Sequence, residues 1–175
     1  MSEVEKKKLI LNIFPTNATV KYEGDAGKPN PSWIIDAYGE IPNVSWRTKE
    51  NNFFYGKNAK DIFYFAMCYG KYHNDPVPIT KKHGDIRLDA FTNSELWQML
   101  SIGMAELSKE NSEASTDFID PKNANKILNT CMEYANGGIR GLKRLMENSS
   151  SNYFEGFENE LDEVLEYYDK INADQ

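Results

Sequence analysis

Few side chains in this sequence have the types and the spacing that catalysis requires. Nucleophilic catalysis needs a base oriented toward a serine or cysteine, and the chain holds only two histidines, His73 and His83. Cys68 with these histidines would give three metal ligands, but Cys68 stands in an apolar helical pattern and no second ligand pair follows. Neither a G-x-x-x-x-G-K-S/T nor a G-x-G-x-x-G phosphate loop occurs. We therefore expect a protein that is not an enzyme and has no cofactor and no metal site.

Carboxylates are concentrated at the end of the chain. The last 23 residues carry eight acids and one lysine, whereas residues 1–152 carry 19 basic and 19 acidic residues. Glu158, Asp162 and Glu166 share one strip of a predicted helix. General acid–base catalysis needs two carboxyl groups whose pKa values an apolar pocket separates, and this strip gives no sign of one. The strip is either a solvated face or a face that meets a basic partner.

A basic strip precedes the acidic segment. Arg140, Lys143 and Arg144 have the i, i+3, i+4 spacing that places them on one helix surface. Phosphate binding would use such a strip, but the neutral body and the acidic end of the chain disfavour general affinity for nucleic acid. The simpler interpretation pairs these cations with the acidic last helix, in the same chain or in a second copy. Exposed pairs contribute only about 0–1 kcal/mol each, so they would set partner choice more than stability.

Three glycines, Gly137, Gly138 and Gly141, interrupt the third predicted helix. An apolar face keeps its helical phase through them: Ala124, Ile127, Leu128, Cys131, Ala135, Ile139, Leu142, Leu145 and Met146. Each helical glycine costs about 0.5–1 kcal/mol relative to alanine, so three of them indicate a close contact. We predict one helix over Pro121–Met146 with a close-packing notch that serves as a docking surface. The alternative is a helix that ends at Asn136 with a glycine C-cap.

The remaining pattern indicates an α+β chain that is mostly helical, with an N-terminal β-hairpin packed on a bundle of about four helices. We predict strands at residues 8–14 and 18–23, and a short extended stretch at Asp85–Leu88. Capping pairs precede two helices, Asn58 with Asp61 and Thr92 with Glu95. The chain of 175 residues is expected to form one domain: a β-rich part over 1–52, a helical core over 53–152 and an acidic C-terminal helix over 153–175.

The two cysteines, Cys68 and Cys131, lie in apolar helical patterns, as reduced and buried thiols do. No apolar run approaches the roughly 20 residues that a membrane span needs, and no signal-peptide core follows the basic start. We therefore expect a cytoplasmic protein without a membrane segment.

Two short segments resemble a known family. The first holds Phe63, Phe65 and Ala66 in an F-x-F-A helix that ends in Tyr69–Gly70, followed by a proline-containing basic stretch over Pro76–Lys82. The second is the Y-A-N-G-G-I/L segment at Tyr134–Ile139. Together they resemble small accessory proteins encoded beside bacterial DNA-phosphorothioation (Dnd) and related phage-defence operons. The likeness covers residues 53–146. It implies a role in a multi-protein defence system and supplies no catalytic residue.

These observations predict a non-catalytic accessory or adaptor subunit of a DNA-targeting phage-defence system that acts by protein–protein docking. The predicted partner-binding residues are Gly137, Gly138, Gly141, Arg140, Lys143, Arg144, Glu158, Asp162 and Glu166. The expected partners are protein subunits of the defence complex, and the small-residue face would also allow a homodimer. The alternative is an acidic inhibitor, encoded by a phage or mobile element, that mimics DNA and binds a host DNA- or RNA-processing enzyme. Direct nucleic-acid binding is a third, less favoured interpretation.

Overall fold

The structure, a computed structural model, describes residues 2–23, 54, 56–80, 82–110 and 121–148. In chain order the elements are α1 (Glu3–Leu11), β1 (Thr19–Glu23), α2 (Ala59–Tyr72), β2 (Lys82–Arg87), α3 (Asn93–Glu110) and α4 (Pro121–Asn148), with a 3-10 turn at Leu88–Ala90. The predicted fold class is confirmed: the described chain is mostly helical, with four α-helices and one two-stranded antiparallel sheet.

The longest helix, α4, runs through the glycines without a break. It spans 28 residues, so the prediction of a continuous helix over Pro121–Met146 is confirmed and the alternative end at Asn136 is excluded. Its apolar face is buried from Ala124 through Ile127 and Cys131 to Leu142. The helical phase that the sequence keeps through the glycines therefore corresponds to one continuous buried face of α4.

Capping side chains fix where α2 and α3 begin. The Asn58 carboxamide accepts from Asp61 N at 3.1 Å, and the Asp61 carboxylate accepts from Asn58 N at 3.0 Å. Thr92 and Glu95 repeat this arrangement at the start of α3, with distances of 3.3 Å and 2.6 Å. Both predicted capping boxes are confirmed, and each satisfies backbone amides that the first helical turn leaves without partners.

α4 packs against both α2 and α3 and runs antiparallel to both. Along α2, Ala66 faces Gly138, and Gly70, one turn later, faces both Gly138 and Tyr134. Along α3, Cys131 Sγ donates to Met99 O at 3.3 Å, and Gly103 packs against Ile127 further back along α4. Rising residue numbers on α2 and α3 thus meet falling numbers on α4.

Two ion pairs join α2 directly to α3. Lys60 Nζ lies 2.8 Å from Glu95 Oε1, and Lys71 pairs with Glu106. Both pairs have the same offset in sequence, as expected if α2 and α3 run parallel to each other. All four side chains are less than a quarter exposed, so water screens these pairs less than it does a typical surface pair.

The small sheet differs from the predicted hairpin. Residues 8–14 do not form a strand, because residues 3–11 form α1, which begins with a capping box between Ser2 and Glu5. The strand expected at 18–23 is present as β1, but its partner is β2, which is distant in sequence and includes most of the extended stretch predicted at Asp85–Leu88. Val20 pairs with Ile86, and both side chains are buried.

The sheet packs on α4 on the side of Met132, whose sulfur accepts a hydrogen bond from Lys21 N at 3.0 Å. The core combines residues from every helix, and Ile10 of α1, Ile62 and Met67 of α2, Met99 of α3 and Ala124 of α4 are all fully buried. No helix in the described ranges is both long and apolar enough to cross a membrane. The acidic helix predicted over 153–175 lies outside the described residues, and so does most of the β-rich part predicted over 1–52.

Candidate functional site

The glycine notch of α4 receives another helix of the same chain. A Cβ atom at Gly138 would overlap the Ala66 carbonyl oxygen and lie 2.9 Å from Gly70 N. The approach is equally close from the α2 side of the contact, where a Cβ atom at Gly70 would lie 2.8 Å from Gly138 N. The two backbones therefore touch without side chains between them. The predicted close contact at the glycines is confirmed, and the element that approaches Gly138 is α2 of the same chain.

The other two glycines face different neighbours. A Cβ atom at Gly137 would overlap the Asp75 carbonyl oxygen, just beyond the end of α2. A Cβ atom at Gly141 would lie 2.7 Å from Cε1 of the Tyr69 ring. Gly137 thus meets backbone that cannot easily move, whereas Gly141 meets the edge of a side chain.

The residues just before these glycines hold the segment that follows α2. Asn136 is 4% exposed, and its carboxamide nitrogen donates to Val77 O at 3.1 Å and to Pro78 O at 3.2 Å. Val77 N donates in turn to Glu133 O at 3.0 Å. We call residues 75–79 the strap, because these hydrogen bonds fasten them along α4. The Tyr134–Ile139 segment that carried the resemblance therefore clasps both α2 and the strap.

The end of α2 turns sharply into the strap. Asn74 has a positive φ of 50°. Asn74 N donates to Lys71 O at 3.0 Å, and Asp75 N donates to Gly70 O at 2.9 Å. This is the hydrogen-bond pattern of a Schellman motif, in which an asparagine can take the left-handed position that glycine usually occupies. The turn satisfies the last carbonyls of α2 within the chain and carries Asp75 against Gly137.

A surface pocket of about 560 Å³ lies at this junction. Its floor and walls are Tyr69, Gly70, His73, Asn74, Asp75, Gly137, Gly138, Gly141 and Arg144. The His73 ring leans on two tyrosines, with ring centroids 4.4 Å from Tyr69 and 4.9 Å from Tyr72. We call this cavity the junction pocket. Its lining combines an aromatic wall, the residues Asp75 and Arg144, and the glycines at which α4 packs on its neighbours.

Four of the predicted partner-binding residues border the junction pocket directly: Gly137, Gly138, Gly141 and Arg144. Arg140 is exposed and lies between Gly137 and Arg144 on the same stripe of α4. Lys143 is half-buried, and neither Lys143 nor Arg140 lines the pocket, so of the three predicted cations the structure places Arg144 there. Glu158, Asp162 and Glu166 lie outside the described residues. Partner binding by all of these residues stays a prediction.

Sequence reasoning missed the α2 side of the pocket, at Tyr69, Asn74 and Asp75, and considered His73 only for catalysis or metal binding. The available signal was the Asn-Asp-Pro run that follows the Tyr69–Gly70 helix end, because Asn tolerates the left-handed conformation of a helix terminus and Pro cannot continue the helix. That signal predicts a turn. It does not predict that the turn lies against the glycines of α4.

A polar network supports the pocket from beneath. Lys71 Nζ lies 5.0 Å from the centroid of the Tyr134 ring, and Tyr134 Oη is 3.4 Å from Asn74 Oδ1. Burial alone would raise the pKa of Glu106, but hydrogen bonds donated by Lys71, Lys109 and Tyr134 lower that pKa to about 2. Glu106 is therefore ionised at neutral pH and binds α3 to α2 and α4.

The described residues contain no group of three or more His, Cys, Asp or Glu side chains placed to hold a metal ion. Cys68 and Cys131 are buried thiols that form no disulfide bond, as predicted. Burial raises the pKa of the Cys131 thiol, so Cys131 is a poor nucleophile in the folded protein.

Comparison with known proteins gives one informative match. Neither the curated proteins nor the solved structures contain a significant match to this chain. A family model for DNA sulphur modification system-associated protein 4 matches residues 45–168, which is more than two thirds of the chain and includes α2, α3, α4 and the junction pocket. The chain belongs to this family of proteins associated with DNA sulphur modification, which confirms the resemblance to Dnd-associated accessory proteins.

Proposed function

We propose that this chain is a non-catalytic accessory subunit of a DNA sulphur modification system and that it acts by docking onto another protein of the system. Family membership supports the association with the system. It also favours this role over that of an inhibitor from a phage or mobile element. In this proposal the protein works in the cytoplasm, where the DNA lies, and contributes no catalytic side chain.

One observation carries the docking part of the proposal. The segment that clasps α2 and the strap also forms one wall of the junction pocket, next to the exposed Arg140 and Arg144. The pocket is held in shape by this segment, since backbone contacts and hydrogen bonds join the segment to α2 and to the strap. A rigid pocket with charged groups at its edge is suited to recognition, because little conformational freedom is lost on binding.

The experiment is co-purification with the other proteins of the same sulphur modification system. The tagged chain is expressed with them, and the complex is compared with that of a double variant, Arg140→Glu with Arg144→Glu. Both arginines are exposed, so the variant should fold. We expect the complex to be lost in the variant.

The control variant carries Lys6→Glu with Lys8→Glu on α1, which changes the net charge by the same amount on exposed positions away from the junction pocket. Circular dichroism verifies that both variants are folded. Retention of the full complex by the folded α4 variant would contradict docking at this surface, and so would equal loss in both variants.

A further inference from the structure

Asn136 is followed by Gly137, and these residues form the one Asn-Gly pair in the sequence. An asparagine side chain is attacked most readily by the backbone nitrogen of a following glycine, because glycine has no Cβ atom to obstruct the approach. The pair is therefore the position of this chain most prone to deamidation wherever the backbone is free to move.

Deamidation at this pair needs no reagent other than water. The Gly137 nitrogen attacks Asn136 Cγ, so that a bond between these two atoms forms and the bond from Cγ to Nδ2 breaks. The Gly137 amide proton passes to the departing nitrogen, and ammonia leaves. Water then opens the cyclic imide at one of its two carbonyl carbons and yields aspartate or isoaspartate.

The fold opposes each part of this reaction. Asn136 is 4% exposed, so little water reaches its side chain. The carboxamide nitrogen, which would be the leaving group, donates to Val77 O and to Pro78 O. Gly137 lies inside α4, where the helical hydrogen bonds engage the interior amides, and its backbone packs against Asp75. The reaction therefore requires α4 to open where it holds the strap.

Neither product fits the closed structure. Aspartate places a carboxylate beside the Val77 and Pro78 carbonyls and lacks the donor that held them. Isoaspartate routes the main chain through Cβ and Cγ of residue 136, which inserts an extra carbon atom into the backbone of α4. The residues that follow then lose their helical phase, so Gly138 no longer meets Ala66 as it does in the native contact.

We propose that Asn136 is a deamidation site that the closed fold protects, and that a chain which opens there is converted by water into a form that cannot refasten the strap. Opening of α4 at this position is reversible only until the carboxamide is lost. The inference rests on the fold and does not depend on the proposed docking function.

Mass spectrometry of the full-length protein tests this inference. The chain is incubated in mildly alkaline buffer with and without urea, and fragmentation of the tryptic peptide 127–140 locates the modified asparagine. We expect Asn136 to deamidate at least about 100-fold more slowly in the native chain than in urea, because the reaction waits for local opening.

Two variants separate opening from intrinsic reactivity. Gly138→Ala, which disturbs the contact with Ala66, should raise the rate without urea at least about tenfold, because the fold opens more often. The exposed substitution Lys8→Glu on α1 should leave that rate unchanged. In urea, both variants should deamidate at Asn136 as fast as the native sequence does.

The one-way character of the change is tested by refolding. Ion exchange separates the chain deamidated in urea from the unmodified chain of the same sample, since deamidation adds a negative charge, and peptide mapping verifies that Asn136 carries the change. After removal of urea, the unmodified fraction should recover slow hydrogen exchange at the Val77 amide, and the deamidated fraction should not.

Three outcomes would overturn the inference. Equal rates at Asn136 with and without urea would mean that the fold does not protect the site. Absence of deamidation in urea would mean that Asn136 is not such a site. Recovery of slow Val77 exchange by the deamidated fraction would mean that the modified chain refastens the strap.

Discussion

Gly138 on α4 packs directly on the backbone of Ala66 on α2, with no side chain between the two helices. A Cβ atom at residue 138 would overlap the Ala66 carbonyl oxygen. Because helix backbone on both sides forms this contact, neither partner can move aside as a side chain could. The contact fixes the distance between α2 and α4 and thereby the shape of the junction pocket.

Substitution of Gly138 by alanine should destabilise the protein. Alanine improves helix propensity by about 1 kcal/mol, but overlap with the α2 backbone should cost more, for a net loss of about 2 kcal/mol. The free energy of unfolding from urea denaturation measures this loss. Gly141→Ala is the matched control, because its Cβ atom meets the edge of the Tyr69 side chain and not helix backbone. Equal stability of Gly138→Ala and the native chain would contradict the close backbone contact.

Replacement of Asn136 by aspartate should release the strap. The native carboxamide donates to Val77 O and Pro78 O, whereas a carboxylate would place negative oxygen atoms against both carbonyls in a buried position. We expect a loss of about 2–4 kcal/mol at neutral pH. The loss should shrink as pH falls, because a protonated carboxyl group can donate one of these hydrogen bonds.

The measurement for Asn136→Asp is the urea midpoint together with hydrogen exchange at the Val77 amide, which donates to Glu133 O in the native chain. The control is Asn125→Asp, at an exposed position of the same helix. If Val77 exchanges no faster in Asn136→Asp than in the control, Asn136 does not hold the strap.

Acid should weaken the contact between α3 and the other two helices. The pKa of Glu106 is about 2 in the folded protein, against 4.5 for an unperturbed glutamate. A lowered pKa stabilises the fold above the unfolded value, and this contribution is lost as pH falls from about 4.5 to about 2. Its size is about 1–3 kcal/mol, since the side chain is 23% exposed and partly screened.

Glu106→Gln isolates this effect. The variant should be less stable than the native chain at pH 7, and the difference should narrow as the pH falls below about 4. Urea denaturation over this pH range measures the difference. A gap that stays constant down to about pH 2 would mean that ionisation of Glu106 does not stabilise the fold.

The two thiols should react only when the protein unfolds. Cys68 is 7% exposed and Cys131 is fully buried, and burial raises the pKa of Cys131. We expect both thiols to react with Ellman's reagent at least about 100-fold more slowly in the native chain than in urea. Rapid reaction of one thiol without denaturant would show that the core between α2 and α4 opens locally.

The sequence pattern was most informative for α4. Apolar residues from Ala124 to Leu142 keep one phase, and only a continuous helix gives that phase a common buried face. The same pattern indicated a close contact at the glycines. It could not say that the neighbour is α2, because a small-residue stripe predicts close approach without identifying the approaching element.

The N-terminal part shows where local patterns fail. Residues 8–14 look like a strand, yet the Ser2–Glu5 capping box starts a helix upstream and carries it through Leu11. The pairing of β1 with β2 joins residues near 20 to residues near 86. The sequence of one strand does not identify a pairing partner that is so distant in the chain. The junction pocket was beyond prediction for the same reason, since its two walls come from separate parts of the chain.

The buried residues of the Tyr134–Ile139 segment serve the fold, whereas arginines on the following turns are exposed. The buried residues Tyr134, Asn136 and Gly138 contact α2, the strap or the polar network. Substitutions at these positions are therefore expected to change the stability of the fold itself. Arg140 and Arg144 are exposed on the following turns. Substitutions at Arg140 or Arg144 are therefore expected to alter this surface and to leave the buried framework of the segment in place.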